Sequence, residues 1–208
     1  MSVADAELSR DARYWLIPLV RAVIALGVAV AITFSADHSA PVGFLAFGAF
    51  ALLSGLAIAL LAARVTRPSV ERSFSIAQGA VGVAVGVASF ALTTSGTAVL
   101  LFIVSAWAAI TGFFELYLGI RSRGRLAQSR DWVFVGALTA VFAVVVLLIP
   151  SGFEQAFTGP DEVERVLTAS VVLVGIIGAY AAIVGVYLAI AGLSLKWAAR
   201  PSSESAVR

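Results

Sequence analysis

The chain has 208 residues, of which 61% are hydrophobic and only 12% are charged, and its formal net charge is +2. Because soluble domains carry about a quarter charged residues, this composition excludes an ordinary soluble domain and predicts an integral membrane protein. The sequence has no cysteine and a single histidine, which excludes disulfides and argues against metal sites and imidazole-based catalysis. We therefore predict no cofactor and no enzymatic activity. Its arginines lie in short loops without interleaved aromatic residues, so we also predict no nucleic-acid partner.

The N-terminal residues 1–14 mix acidic and basic side chains, and they lead into an apolar run from Trp15 to Phe34. A signal peptide would have a net positive start and an apolar stretch of only about 7–15 residues. The run here is about 20 residues long, which is enough to cross a bilayer. We therefore expect residues 1–14 to be a cytoplasmic tail and the first helix to be retained.

The middle of the chain predicts three further membrane helices. The second helix follows a short polar turn and runs from about Phe44 to Ala63. The uncharged run from Ser73 to Phe114 would reach about 63 Å as one helix, twice the hydrocarbon thickness, so it must fold back. The turn from Thr93 to Gly96 divides it into a third helix from about Phe74 to Leu92 and a fourth from about Ala98 to Ile120.

The last third of the chain predicts two more helices separated by a long connection. The fifth helix runs from about Trp132 to Ile149, and an acidic segment follows it. At residues 160–162 a proline precedes two acidic residues, a pattern typical of a helix start. We therefore predict that the sixth helix begins there, outside the lipid, and reaches about Leu195. Residues 197–208 are expected to form a disordered cytoplasmic tail.

Basic residues are concentrated in alternate loops. Three lie in residues 64–72, four in 121–130 and three in 196–208, whereas the loops at the other end carry only Arg165. Loops rich in lysine and arginine stay on the cytoplasmic side of a membrane. The sequence therefore predicts an all-α integral membrane protein with six transmembrane helices and both termini in the cytoplasm.

The predicted helices can be read as three copies of one helical hairpin within a membrane domain at residues 15–196. In the odd-numbered helices Arg21, Gln78 and Val135 fall at equal intervals, and the even-numbered helices align once the acidic connection is treated as an insertion. The three copies would cover residues 15–64, 74–121 and 132–196. Chance similarity among segments rich in alanine, glycine and valine is the alternative.

Small residues recur at seven-residue spacing in each even-numbered helix. The three stripes are Gly48, Gly55 and Ala62; Ser105, Gly112 and Gly119; and Gly178, Gly185 and Gly192. Helices in lipid associate through close packing, so these stripes predict helix contact faces, and the sevenfold period favours left-handed crossings. For any single glycine, the general enrichment of glycine in membrane helices is the alternative explanation.

Each predicted hairpin ends with a small residue, an aromatic residue two positions later and a second glycine, as in Gly48, Phe50 and Gly55. Over roughly residues 15–196 this pattern resembles the HdeD family of bacterial membrane proteins, which are built from a short membrane repeat. The chain departs from the family pattern at Ser54, where an acidic residue often precedes the glycine. The resemblance implies a protein of the bacterial plasma membrane that is linked to acid resistance and has no established transport or enzymatic activity.

Three polar residues interrupt the apolar helices at a common depth. Arg21, Gln78 and Glu115 each lie about 9 Å inside the predicted cytoplasmic boundary. Because charged groups in hydrocarbon are costly and tend to pair, we predict that Arg21 and Glu115 form an ion pair assisted by Gln78. The pair could be structural, its members could instead extend independently to the interface, or the cluster could be a proton or ion site.

Two functions follow from these predictions. The first is a structural or interaction role of the HdeD type in a stress response, with the lipid bilayer and either a second copy or another membrane protein as partners. The second is a small transporter or channel in which Arg21, Gln78 and Glu115 line a pathway. Transporters usually have broken helices or several polar residues near the bilayer centre, and the sequence has few such residues.

Overall fold

The computed structural model of the protein describes residues 13–66, 69–158 and 164–198. Within these ranges the fold consists of six long helices and one small β-hairpin. The helices are α1 (Leu16–Phe34), α2 (Ala40–Val65), α3 (Val70–Ala91), α4 (Thr97–Arg121), α5 (Ser129–Leu147) and α6 (Ala169–Ala198). All six are long and apolar enough to cross a membrane. The predicted all-α membrane fold with six transmembrane helices is confirmed.

Two helices begin about one turn before their apolar runs. Helix α2 starts at Ala40, with Pro41 in its first turn, and α3 starts at Val70. The hydroxyl oxygen of Ser69 caps α3 by accepting a hydrogen bond of 3.1 Å from the backbone N–H of Arg72. Both starts precede the predicted ones, α3 because of the Ser69 cap and α2 because proline is favoured in the first turn of a helix.

The predicted start of the sixth helix is wrong. Helix α6 begins at Ala169, and the residues before it form strand β2 (Glu164–Thr168), which pairs antiparallel with β1 (Glu154–Thr158). Residues 160–162, which suggested the helix start, lie outside the described part of the chain. After them, the segment from Arg165 to Thr168 contains β-branched residues, which favour a strand. A β-hairpin therefore precedes the last membrane helix.

The predicted tails lie mostly outside the described residues. Of the N-terminal segment 1–14 only residues 13 and 14 are described, and they belong to a turn before α1. At the other end α6 continues to Ala198, so residues 197 and 198 are helical.

The glycine stripes lie at close contacts between helices. A Cβ atom added to Gly55 on α2 would lie 2.6 Å from the carbonyl oxygen of Gly79 and 2.7 Å from the backbone nitrogen of Val83, both on α3. Such distances are too short for a real side chain, so only glycine permits this approach. Gly82 lies in the same contact, where an added Cβ would lie 2.9 Å from the carbonyl oxygen of Ala51.

The other stripe glycines make equivalent contacts, each with a single neighbouring helix. Gly48 faces Ser89 and Gly86 on α3; Gly112 and Gly119 face Ala140 and Val133 on α5; and Gly178, Gly185 and Gly192 face Ile32, Leu26 and Leu19 on α1. Helix α2 thus packs most extensively on α3, α4 on α5, and α6 on α1. The main contacts run between the predicted hairpins rather than within them, and the last helix closes the bundle onto the first.

An aromatic cluster lies inside the bundle. Phe50 on α2, Trp107 on α4 and Tyr180 on α6 form a triangle of edge-to-face contacts, with ring centroids 5.6, 6.2 and 6.4 Å apart. On one side of this aromatic triangle lies an apolar cluster that includes the fully buried Phe44 and Leu100. On the other side lie the polar residues of the candidate site.

Candidate functional site

The structure brings the three polar residues of the sequence prediction together. Arg21 on α1 donates from Nη2 to Oε1 of Glu115 on α4 at 2.7 Å, and the two side chains form an ion pair. Gln78 on α3 donates from Nε2 to the same oxygen at 2.9 Å. The Glu115 residue is only 2% exposed. One carboxylate oxygen therefore joins three helices.

Small residues next to these side chains explain why the helices can meet there. Gly79 follows Gln78 and lies against Gly55, so α3 approaches α2 closely at the level of the cluster. Gly136 on α5 lies against the backbone of Glu115, where an added Cβ would lie 3.0 Å from the carbonyl carbon. Close backbone packing on both sides fixes the positions from which Gln78 and Glu115 extend.

The electrostatics of the pair depend on its burial. The Arg21 side chain is 15% exposed and that of Glu115 is 3% exposed. In such surroundings a lone charge is strongly disfavoured, whereas a paired charge that is also hydrogen-bonded can be retained. Each member therefore compensates the desolvation of the other, and the amide of Gln78 adds a charge-assisted hydrogen bond.

A small central cavity adjoins the ion pair and is lined by a polar side chain from each of the six helices. These side chains are Arg21, Ser54, Gln78, Glu115, Thr139 and Tyr180. The cavity volume is about 20 Å³, which is room for one water molecule. Among the described residues, the buried hydroxyl oxygen of Ser54 has no hydrogen-bond partner. The central cavity therefore has polar groups from all six helices in its wall and presents an unused hydroxyl.

Thr139 is a member of this site that the sequence analysis missed. Its hydroxyl donates to the carbonyl oxygen of Val135 at 2.7 Å and lies 2.8 Å from the hydroxyl of Tyr180. Because the single hydrogen of Thr139 is engaged by Val135, the Tyr180 hydroxyl is the donor to Thr139. Thr139 lies one helical turn after Val135, which the repeat alignment had matched to Arg21 and Gln78. This spacing places Thr139 on the same face of α5 as Val135, and it is the feature of the sequence from which Thr139 could have been predicted as a site residue.

Further cavities lead from the site toward one end of the bundle. At this end, which we call the arginine-rich end, α1 begins, α6 ends, and short loops join α2 to α3 and α4 to α5. A connecting cavity of about 20 Å³ has Arg21 in its wall, as the central cavity does. Beyond it lies a vestibule of about 520 Å³, which shares Tyr14, Gln128 and Trp132 with the connecting cavity. The aromatic triangle lies on the opposite side of the central cavity.

A second acidic residue lies along this row of cavities. Asp131, in the first turn of α5, lines the connecting cavity and accepts a hydrogen bond of 2.8 Å from the Tyr187 hydroxyl. Tyr187 also stacks on Phe134, with ring centroids 4.0 Å apart. The sequence analysis did not select Asp131 because acidic residues are common in the first turn of any helix.

The chemistry available to the site is that of charge and hydrogen bonding. No group of three or more metal-ligating side chains occurs in the part of the chain that the structure describes. The buried groups are a carboxylate, a guanidinium, an amide and hydroxyls, which can order water, hold an ion pair or relay a proton.

The fold and the site together define a six-helix membrane protein with a buried ion pair and a polar cavity inside the bundle. No protein-family model matches the chain, and neither a curated protein nor a solved structure matches it.

Proposed function

We propose that this chain is a multi-pass protein of a bacterial plasma membrane, with both termini in the cytoplasm, that has a structural or interaction role of the HdeD type in the response to acid stress. Its concentration of basic loops at one end supports this orientation. Exposed apolar side chains such as Phe102 and Phe113 would face lipid or a partner, either a second copy or another membrane protein.

The three-hairpin repeat on which the HdeD resemblance rests has support from the packing. The aromatic residues at equivalent positions of the proposed copies, Phe50, Trp107 and Tyr180, meet in one triangle. The small-residue stripes of α2 and α4 also pack against α3 and α5, and the stripe of α6 packs against α1. A threefold repeat closed into a ring would produce both features.

The observation that best supports a structural role is that Arg21 and Gln78 both donate to the same oxygen of Glu115. Through it, side chains from α1, α3 and α4 are held together inside the bundle. Buried polar groups of this kind can select one packing arrangement among several of similar energy. Each of the six helices is also continuous, which favours a structural role over transport because transporter sites usually use interrupted helices.

The test is acid survival of a bacterial strain that naturally carries this chain and from which its gene has been deleted. We expect deletion to lower survival at low pH and the wild-type chain to restore it. The double variant Arg21→Gln with Glu115→Gln should restore survival too, provided that it accumulates in the membrane, because a structural pair can be replaced by a neutral one. Unchanged survival after deletion would exclude the stress role.

A small transporter or channel is the second candidate, and the row of cavities favours it. The vestibule and the connecting cavity lie between the arginine-rich end and the central cavity, whose wall includes Glu115. The test is proton or ion flux into liposomes containing the purified protein, with protein-free liposomes as control. Flux that is lost in a folded Glu115→Gln variant would establish this second function. A folded double variant that fails to restore acid survival would show that the charges do more than hold the fold.

A further inference from the structure

The vestibule at the arginine-rich end is large enough to hold a small molecule. Its volume of about 520 Å³ lies within the range of about 300–1,000 Å³ that is typical of sites for small molecules. The two cavities beneath it are about 20 Å³ each. Its wall includes residues from the ends of all six helices or from the loops beside them. A small molecule could therefore be enclosed on the bundle axis.

Two arginines line the vestibule, and they are not equivalent. Arg125 is partly engaged, because its Nη2 atom lies 3.4 Å from Oε1 of Glu71 and donates to the carbonyl oxygen of Arg121 at 3.0 Å. The guanidinium of Arg72 has no hydrogen bond or ion pair among the described residues. Arg72 thus contributes a positive charge whose side-chain N–H donors are not used by the residues that the structure describes.

The wall of the vestibule also includes aromatic side chains. Trp132 makes an edge-to-face contact with Tyr14, with ring centroids 6.2 Å apart. The ring of Trp15 has the Nζ atom of Lys196 at 4.8 Å from its centroid. Both indole rings are therefore held in place by neighbours, and each presents apolar surface to the vestibule. Rigid rings of this kind bind a flat or apolar group with little loss of side-chain entropy.

We propose that the vestibule binds an anion that carries an aromatic or apolar group. Its carboxylate or phosphate would bind the guanidinium of Arg72 with help from Arg125, and its apolar group would pack on Trp15 and Trp132. A guanidinium matches the planar or forked arrangement of such oxygens. The source of this chemistry is either a soluble anion or the headgroup of an anionic lipid. The inference depends neither on the stress role nor on transport.

The experiment measures binding of phenyl phosphate to the purified chain in nanodiscs of zwitterionic phosphatidylcholine. Tryptophan fluorescence is the readout, in a Trp197→Phe background that removes an exposed indole outside the vestibule. Inorganic phosphate supplies the anion alone and benzyl alcohol the ring alone. We expect saturable binding of phenyl phosphate, at least about tenfold tighter than that of either half, because only the whole molecule offers both an anion for the arginines and a ring for the indoles.

Substitutions then assign the site. Arg72→Gln should weaken binding of phenyl phosphate about tenfold or more, which is the size expected for a lost charge-assisted hydrogen bond. Arg123→Gln is the matched control, because Arg123 is an exposed arginine near the same end that does not line the vestibule. Arg125→Gln provides an independent variant should Arg72→Gln fail to fold.

A second set of nanodiscs, containing anionic phosphatidylglycerol, distinguishes the two sources. Weaker apparent binding of phenyl phosphate in these nanodiscs than in phosphatidylcholine would identify the lipid headgroup as the competitor, and equal binding in both nanodiscs would identify a soluble anion. Either result supports the proposal. Absence of saturable binding in phosphatidylcholine nanodiscs would overturn it, as would equal weakening by Arg72→Gln and Arg123→Gln, since that would indicate only a general effect of net charge.

Discussion

Replacing Glu115 with glutamine would leave the Arg21 guanidinium inside the bundle without its counter-charge. Removing one member of a buried pair commonly costs about 3–5 kcal/mol, and the side chains here are 3% and 15% exposed. Glutamine keeps a carbonyl oxygen that can still accept hydrogen bonds, so we expect Glu115→Gln to cost about 3 kcal/mol, at the low end. Arg21→Gln should cost at least as much, because the carboxylate then keeps only Gln78 as a donor.

The double variant separates a true pair from two independent groups. With both charges removed, two amides remain near Gln78, and neither needs a counter-charge. We therefore expect the double change to cost about 2–3 kcal/mol less than the sum of the single changes. The measurement is the free energy of unfolding in mild detergent, obtained by titration with a denaturing detergent and followed by circular dichroism.

A matched control is available at the edge of the same bundle. The Arg125–Glu71 pair has a distance of 3.4 Å, and its side chains are 60% and 19% exposed. Such a pair should give a coupling energy below about 1 kcal/mol. If the coupling at Arg21 and Glu115 were no larger than in this control, the two groups would be reaching water independently, and the argument from burial would be refuted.

Two further predictions concern topology and packing. A cysteine at exposed Ser95 should react with a membrane-impermeant thiol reagent added to intact cells, and one at exposed Arg123 should react only after permeabilisation; the opposite pattern would invert the orientation. Gly55→Ala should destabilise the protein by about 1–3 kcal/mol, because the new methyl would meet the α3 backbone. Gly175→Ala should leave stability unchanged or slightly higher, since no atom lies within 4 Å of its added Cβ. Equal effects at the two glycines would remove the close-packing argument.

The number and order of the helices could be predicted because each is encoded locally. An apolar run of about 20 residues suits the bilayer wherever the rest of the chain lies. The common depth of Arg21, Gln78 and Glu115 was also local information, because it depends only on their distance from the helix ends. The β-hairpin formed by strands Glu154–Thr158 and Glu164–Thr168 was missed because residues 160–162 suggested a helix start.

The partners of each helix were decided only by the tertiary structure. The stripe containing Gly55 showed which face of α2 would be in contact, but not that Gly79 and Gly82 of α3 would lie against it. Nor did it show that α6 would pack on α1 at the far end of the chain. The physical reason is that apolar side chains suit lipid and protein neighbours almost equally, so hydropathy does not identify helix partners. The roles of Thr139 and of the vestibule depended on this packing, because both arise where all six helices meet.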